Sequence, residues 1–144
     1  MLIPHVVQTE ADKVFVNIYN SQAVSVTDGD VVSWNTSSPD GVKTTAVTTN
    51  TLSLFVGLVD GTVAAGAYGL AQAYGYKATA SVTNTTNTAI VAGDILVDSA
   101  GADYLTRSAA GTTGVSGWVF AAAAVSTSTT PGLITAGGVF LRAL

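Results

Sequence analysis

Short runs of β-branched and aromatic residues, each ended by turn-forming residues, recur along this 144-residue chain. Residues 13–19 alternate along the strand and are followed by Asn20 and Ser21, which are typical of turns. Asp-Gly pairs at 28–29 and 60–61 mark further turns, because glycine adopts positive φ without strain. Strand signals spaced about 8–12 residues apart are typical of β-sandwiches and barrels. The sequence therefore predicts an all-β fold, either a single-domain β-sandwich or a small β-barrel of short antiparallel strands.

Two segments carry the clearest strand predictions. Residues 52–59 are apolar on both faces, which predicts a central buried strand. Residues 62–76 are rich in alanine, but Gly66, Gly69 and Gly75 would each cost about 1 kcal/mol inside a helix. A strand is favoured there, with small residues on one face. That small-residue face is a candidate subunit interface. The opposite face would carry Leu70, Gln72, Tyr74 and Tyr76.

Residues 26–32 and 90–96 share one pattern, an apolar residue, two variable positions, Gly-Asp and two apolar residues. Each copy predicts a tight turn that re-enters a strand. The match is too short to establish a duplication. Residues 1–10 lack a strong strand pattern, so we predict an N-terminal arm over 1–10 and a single β domain over 11–144.

Composition restricts the classes of partner. Charged residues make up 10% of the chain, against about 25% in typical domains. Because low charge reduces solubility, this surface suits a protein covered by partners. The five basic residues are scattered, and without a basic stripe we expect no nucleic-acid partner.

The sequence shows no feature of disulfide chemistry, secretion or membrane insertion. It contains no cysteine, which excludes disulfides and thiolate sites. The first residues lack the basic and apolar regions of a secretion signal, and no stretch approaches the ~20 apolar residues of a membrane helix. We therefore expect synthesis in a cytoplasm and no membrane partner.

Few residues suit catalysis or metal binding. His5 is the only histidine and needs partners to act as a base or ligand. Asp28-Gly-Asp30 resembles part of a calcium loop, but the remaining ligands are missing. Asp98 and Asp103 flank a turn, where aspartate is favoured for its hydrogen bonds, although two acids could still meet in space as a glycosidase pair. We expect no enzyme, no cofactor and no metal.

The segment 63–75, Val-Ala-Ala-Gly-Ala-Tyr-Gly-Leu-Ala-Gln-Ala-Tyr-Gly, resembles the pAGxYGxxQxYG stretch of small structural proteins of tailed phages, including capsid decoration (cement) proteins. Segments 90–96, 117–119 and 139–141 are similar to the ending of that class. The resemblance covers residues 52–144. Ala64-Ala65 stands here in place of the usual Pro-Ala, and Leu70 in place of a frequent Trp.

The resemblance implies a protein that binds the outer surface of an assembled phage head, often as a trimer, and bridges neighbouring capsomers. The implied partners are the major capsid protein and further copies of this chain as a homotrimer. A ligand that binds only the assembled lattice stabilises it by mass action. Exposed edge strands are further candidate contacts. The candidate contact residues are Leu2, Ile3, Pro4, Val6 and Val7 in the arm and Tyr68, Gln72, Tyr74 and Tyr76 in the 62–76 strand.

The aromatic residues leave an alternative function open. Amphipathic rings stack on sugars, although they more often fill cores or interfaces. The alternative is therefore a tail or fibre module with a carbohydrate-binding surface. The aromatic residues considered for it are Trp34, Tyr68, Tyr74, Tyr76 and Trp118.

Overall fold

A computed structural model describes residues 12–46, 54–83, 89–99, 103–108, 119–124 and 134–142. These ranges contain β-strands and no α-helix, which confirms the all-β prediction. The predicted arm, residues 1–10, lies outside them. The strands are β1 (Val14–Asn20), β2 (Val31–Trp34), β3 (Lys43–Thr45), β4 (Phe55–Asp60), β5 (Tyr68–Thr83), β6 (Ile95–Asp98), β7 (Leu105–Arg107), β8 (Val119–Ala121) and β9 (Ile134–Arg142).

The strands form one sheet in the order β1-β3-β2-β4-β5-β7-β6-β8-β9, and extra pairings of β5 with β1 and with β9 close it twice. The first ring is β1-β3-β2-β4-β5, and the second ring is β5-β7-β6-β8-β9. The 16-residue β5 belongs to both. The fold is therefore barrel-like, in agreement with the predicted β-sandwich or small β-barrel, and its sheet closes into two small rings. Pairs β1–β3 and β5–β7 are parallel and all others antiparallel.

Ring closure changes what the strands can offer a partner. Within the described ranges, each of the nine strands has a partner strand on both sides over at least part of its length. Closure of this kind leaves fewer open edges for pairing with other chains. Edge strands as contacts stay a prediction, limited in the described ranges to strand segments that have a partner on one side only.

The two rings repeat one topology. In the first ring β1 pairs in parallel with β3, and the closing strand β5 pairs antiparallel with β4 and β1. In the second ring β5 pairs in parallel with β7, and β9 pairs antiparallel with β8 and β5. The closing strand of the first ring thus serves as the opening strand of the second. The duplication that the short sequence match left open is present in the strand topology.

The two Gly-Asp turns occupy equivalent places in this repeat. Gly29 and Gly93 both have φ of 87°, and each turn leads into the second strand of its ring. The side chains of Asp30 and Asp94 each accept a hydrogen bond from the backbone amide three residues earlier, at 2.7 and 2.9 Å. An aspartate that caps its own turn in this way favours the turn over extended chain. The shared sequence pattern therefore encodes a shared structural element.

Two apolar cores fill the structure, and β2 and β4 contribute to both. Val32 and Val59 pack into the first core with Ile18 and Ala71. Adjacent residues on the same two strands, Val31 and Leu58, face the second core, because successive side chains of a strand point to opposite faces. This confirms the prediction of a central buried strand for its described part, β4. The second core also contains Phe55, Ala80, Val82, Ile90, Leu96, Val97, Leu105, Val119, Ala121, Val139 and Leu141.

Candidate interaction surface

Exposed apolar side chains concentrate on β5 and on β1 and β9, which both pair with β5. On β5, Tyr74 is 41% exposed and Tyr76 is 38% exposed. On the neighbouring strands, Val14 of β1 and Phe140 of β9 are also exposed. We call these four residues the aromatic patch.

The patch is continuous because its residues are cross-strand neighbours. Tyr74 lies opposite Val14 in β1 and also opposite Arg142 in β9. Tyr76 lies opposite Phe140, and their ring centroids are 5.5 Å apart at an interplanar angle of 54°. Directly opposite residues share a face and have Cβ atoms about 4.5–5.5 Å apart. Backbone pairing therefore holds the patch on the outside of the second ring, where it alternates with buried residues.

Tyr68 extends the exposed aromatic surface along the first ring. Its side chain is 73% exposed and contacts the Tyr19 ring edge-on, with centroids 5.0 Å apart. Leu70, two residues further along β5, is 42% exposed. The structure thus places Tyr68, Tyr74 and Tyr76 on the surface, and their contact with a partner stays a prediction. The candidate arm residues Leu2, Ile3, Pro4, Val6 and Val7 lie outside the described ranges.

Gln72 differs from the tyrosines with which it was grouped. Its side chain is buried, and its amide nitrogen donates to the backbone oxygens of Tyr74 and Tyr76, both at 3.1 Å. A register shift explains the difference, since Phe15 pairs with Gln72 while the preceding residue, Val14, pairs with Tyr74. The extra residue, Ala73, interrupts the regular alternation, as in a β-bulge. Gln72 therefore bonds to the backbone of β5 at the two tyrosines, and its side chain has almost no exposed surface.

The small-residue face of β5 is occupied by the chain itself. Ala71 and Ala73 are buried, and Gly75 lies buried between the two exposed tyrosines. On β4, a Cβ added to Gly57 would overlap the backbone oxygen of Gln72. The close approach that small residues were expected to permit is real, but it occurs within this chain. The prediction of that face as a subunit interface is therefore wrong.

The acidic residues considered for calcium are hydrogen-bonded to protein donors. Asp28 accepts bonds from the Lys77 ammonium at 2.8 Å, from the Thr79 hydroxyl and from a backbone amide. Burial raises the pKa of Asp28, but these bonds and the charge of Lys77 outweigh it and leave the pKa lowered. Lys77 is itself buried and also pairs with Asp60 at 3.2 Å. Among the residues that the structure describes, no group of three or more metal-ligating side chains occurs.

Asp98 is a different kind of carboxylate. It is buried beside the second core, and among the residues that the structure describes neither of its carboxylate oxygens has a hydrogen-bond partner. Burial raises the pKa of Asp98 to about 7. Burial also raises the pKa of Asp103, and the nearby negative charge of Asp30 raises it further. Such shifts mark candidate functional groups but also arise in structural positions.

Phe140 and Val14 belong to the surface but were not predicted from the sequence. Val14 lies in the alternating segment 13–19, and Phe140 lies in 138–144, where apolar alternation also predicts a strand. What the sequence did not show is that β9 and β1 are both neighbours of β5, far away along the chain. For Phe140, the alternation of apolar residues in 138–144 indicated a strand but not the strand with which it pairs.

Comparison with protein-family models, curated proteins and solved structures gave no match for this chain. In the described part of the chain, no helix has the length and apolar character needed to span a bilayer.

Proposed function

We propose that this chain is a capsid decoration (cement) protein of a tailed phage. In this role it binds the outer surface of the head and bridges subunits of the major capsid protein. The proposal rests on the phage-like pattern in residues 63–75 together with the structural setting of that segment. The observation that carries it is the exposed aromatic surface of β5, which the pattern itself encodes.

The surface chemistry supports a protein–protein contact. Tyrosine and phenylalanine are enriched in interfaces, where a few buried aromatic anchors supply most of the binding energy. Clustered apolar side chains on a soluble chain commonly mark an interaction site. Here they lie on a protein with only 10% charged residues, so few charges need to be desolvated on contact.

The two-ring framework suits a rigid bridging part. Both rings share β5, and the β2–β4 pair contributes to both cores, so the aromatic surface is held by paired backbone and not by a loop. A homotrimer would present three copies of this surface, and linked weak contacts raise the overall affinity. The arm residues Leu2, Ile3, Pro4, Val6 and Val7 would add an extended contact to a neighbouring sheet.

The proposal is tested by co-sedimentation with phage heads from which this protein has been removed. The wild-type chain should bind the heads, and a Tyr74→Ser/Tyr76→Ser variant should bind roughly tenfold more weakly or worse, since losing about 1.4 kcal/mol is tenfold in affinity. Val24→Ser and Val91→Ser are matched controls, because both valines are exposed on other parts of the chain. Deletion of residues 1–7 should also weaken binding.

A failure of the wild-type chain to bind any form of the head would refute the capsid role. Immunolabelling of purified virions provides an independent check, with label expected over the head and not on the tail.

The exposed rings of Tyr74 and Tyr76, with Arg142 opposite Tyr74, also favour a second candidate, a carbohydrate-binding tail or fibre module. Aromatic faces beside a polar group are suited to stacking on sugars. A glycan array with the isolated chain separates the two functions. Specific glycan binding that is lost in Tyr74→Ser would favour the tail module over the decoration protein.

A further inference from the structure

Three Asp-Gly pairs occur in the chain, at 28–29, 40–41 and 60–61. Aspartate followed by glycine is prone to spontaneous isomerisation, because glycine has no side chain to hinder attack by its amide nitrogen on the preceding carboxyl group. The reaction requires a free amide and a backbone that moves until nitrogen and carboxyl carbon meet. The structure gives the three pairs very different surroundings.

The 28–29 pair is fixed within the sheet framework. The Gly29 amide donates to the backbone oxygen of Val59, and the Gly29 oxygen accepts a bond from the Ser81 amide, both at 2.9 Å. Gly29 is also buried, and a Cβ added to it would overlap the backbone oxygen of Thr79. An amide that donates within a fixed backbone is a poor nucleophile, because its bond must break before it attacks.

The 60–61 pair is held by side chains. The Gly61 amide donates to Oδ1 of Asp28 at 3.1 Å. The carboxylate of Asp60 accepts a bond from the Lys77 ammonium at 3.2 Å, and only 5% of the Lys77 side chain is exposed. Hydrogen bonds to ionised groups are the stronger ones. The amide and the carboxyl group of this pair are thus each engaged by a third residue and not by each other.

The 40–41 pair has no comparable restraint on its glycine. Asp40 and Gly41 are exposed, and among the described residues the Gly41 amide has no hydrogen-bond acceptor. Oδ1 of Asp40 accepts bonds from the amides of Val42 and Lys43, at 3.1 and 2.7 Å. Amide donors aimed at a carboxyl oxygen stabilise the negative charge that develops there when the carbon is attacked.

We propose that Asp40–Gly41 is a site of spontaneous isoaspartate formation in the folded protein, and that the fold protects the other two Asp-Gly pairs. The Gly41 nitrogen attacks Cγ of Asp40, a C–N bond forms, and a carboxyl oxygen leaves as water with the amide proton and the carboxyl proton. Water then adds to the main-chain carbonyl carbon of this cyclic imide and breaks its bond to the Gly41 nitrogen. The chain thereafter continues through the former side chain. Water is the only co-reactant, and the inference does not depend on the capsid role.

The modification would alter the entry to β3. Lys43 is the first residue of β3, pairs with Tyr19 of β1 and forms an ion pair with Asp40 at 3.3 Å. Isoaspartate adds one carbon to the main chain and converts the bonded carboxyl group into a peptide carbonyl. The present bonds of that group to Val42 and Lys43 are then lost, which loosens the start of β3.

Peptide mapping of aged, full-length protein tests the proposal. The folded chain is incubated at about pH 5, because a neutral carboxyl group is the better electrophile and the Lys43 amide lowers the pKa of Asp40. Electron-transfer fragmentation then distinguishes isoaspartate from aspartate at each pair. We expect isoaspartate at Asp40 to accumulate at least about tenfold faster than at Asp28 or Asp60, as a barrier lower by about 1.4 kcal/mol gives.

The other two pairs are matched controls within the same molecule. In concentrated guanidinium, where the fold is absent, the rates at the three pairs should converge. Gly41→Ala should slow the reaction at Asp40 by about tenfold, the effect of a barrier raised by about 1.4 kcal/mol, because its methyl group hinders the attack. Equal rates at all three pairs in the folded protein would overturn the proposal. A preference for Asp40 that persists in guanidinium would do the same, since the local sequence and not the fold would then set it.

Discussion

The wild-type protein is expected to lose stability between about pH 4 and pH 7, and Asp98→Asn should remove most of that loss. Burial raises the pKa of Asp98 from 3.8 to about 7, so the folded state binds the proton more tightly than the unfolded chain. Its contribution is fully present below the unfolded pKa and is lost as pH rises through the folded pKa. At 1.36 kcal/mol per unit, this loss amounts to at most about 4 kcal/mol.

The measurement is the free energy of unfolding from urea titrations at pH 4, 6 and 8. At pH 8 the asparagine variant should be the more stable protein, whereas at pH 4 the two should be close. Burial also raises the pKa of Asp103. A smaller dependence of the unfolding free energy on pH should therefore remain in the Asp98→Asn variant. Asp40→Asn is the control, because the Lys43 amide lowers the pKa of Asp40 and its contribution has the opposite sign. An Asp98→Asn slope equal to that of the wild type would contradict the assignment.

Gly29→Ala and Gly93→Ala should differ sharply although they change equivalent positions in the two rings. Both glycines have φ of 87°, so alanine pays the left-handed penalty of about 1–2 kcal/mol at either site. A Cβ on Gly29 would also overlap the backbone oxygen of Thr79, whereas no atom of the described residues lies within 4 Å of a Cβ on Gly93. We expect at least about 4 kcal/mol of destabilisation for Gly29→Ala, in the range caused by severe backbone or packing conflicts.

Thermal and urea unfolding of the two variants make this comparison. Gly41→Ala is a further control, since Gly41 has φ of 83° and a Cβ there would meet no atom of the described part of the chain within 4 Å. Gly29→Ala should fold poorly or melt far below the other two variants. Similar unfolding free energies for all three would show that β5 does not constrain Gly29 as the structure describes.

Local features of this fold were predictable because they depend on neighbouring residues. Strand β1 was predicted from the alternation in residues 13–19, and β4 from the run in 52–59 that is apolar on both faces. Both patterns are visible in consecutive residues, because side chains of a strand alternate between its two faces. Residues 63–67 were predicted as strand but form a bridge and a turn before β5, with Gly66 at φ of 70°. That error arose because alternation alone does not distinguish a strand from the turn that enters it.

The surface was less predictable than the strands. Alternation predicted that Tyr74 and Tyr76 share one face, whereas the burial of Gln72 depends on a bulge set by pairing with β1. Phe140 belongs to the aromatic patch because it pairs with Tyr76, more than sixty residues away along the chain. No local sequence pattern indicates such a long-range contact. Closure into rings likewise depends on pairings between distant strands.

The shared strand β5 has a consequence for how this molecule can be divided. The chain repeats a structural unit, yet no single cut yields two pieces that each contain a complete ring, because each piece would need β5. The β2–β4 pair adds to this, since Val31 and Leu58 of the first ring fill the core of the second. The two halves are thus copies in topology but one indivisible unit in thermodynamic terms, and opening either ring exposes apolar surface of the other.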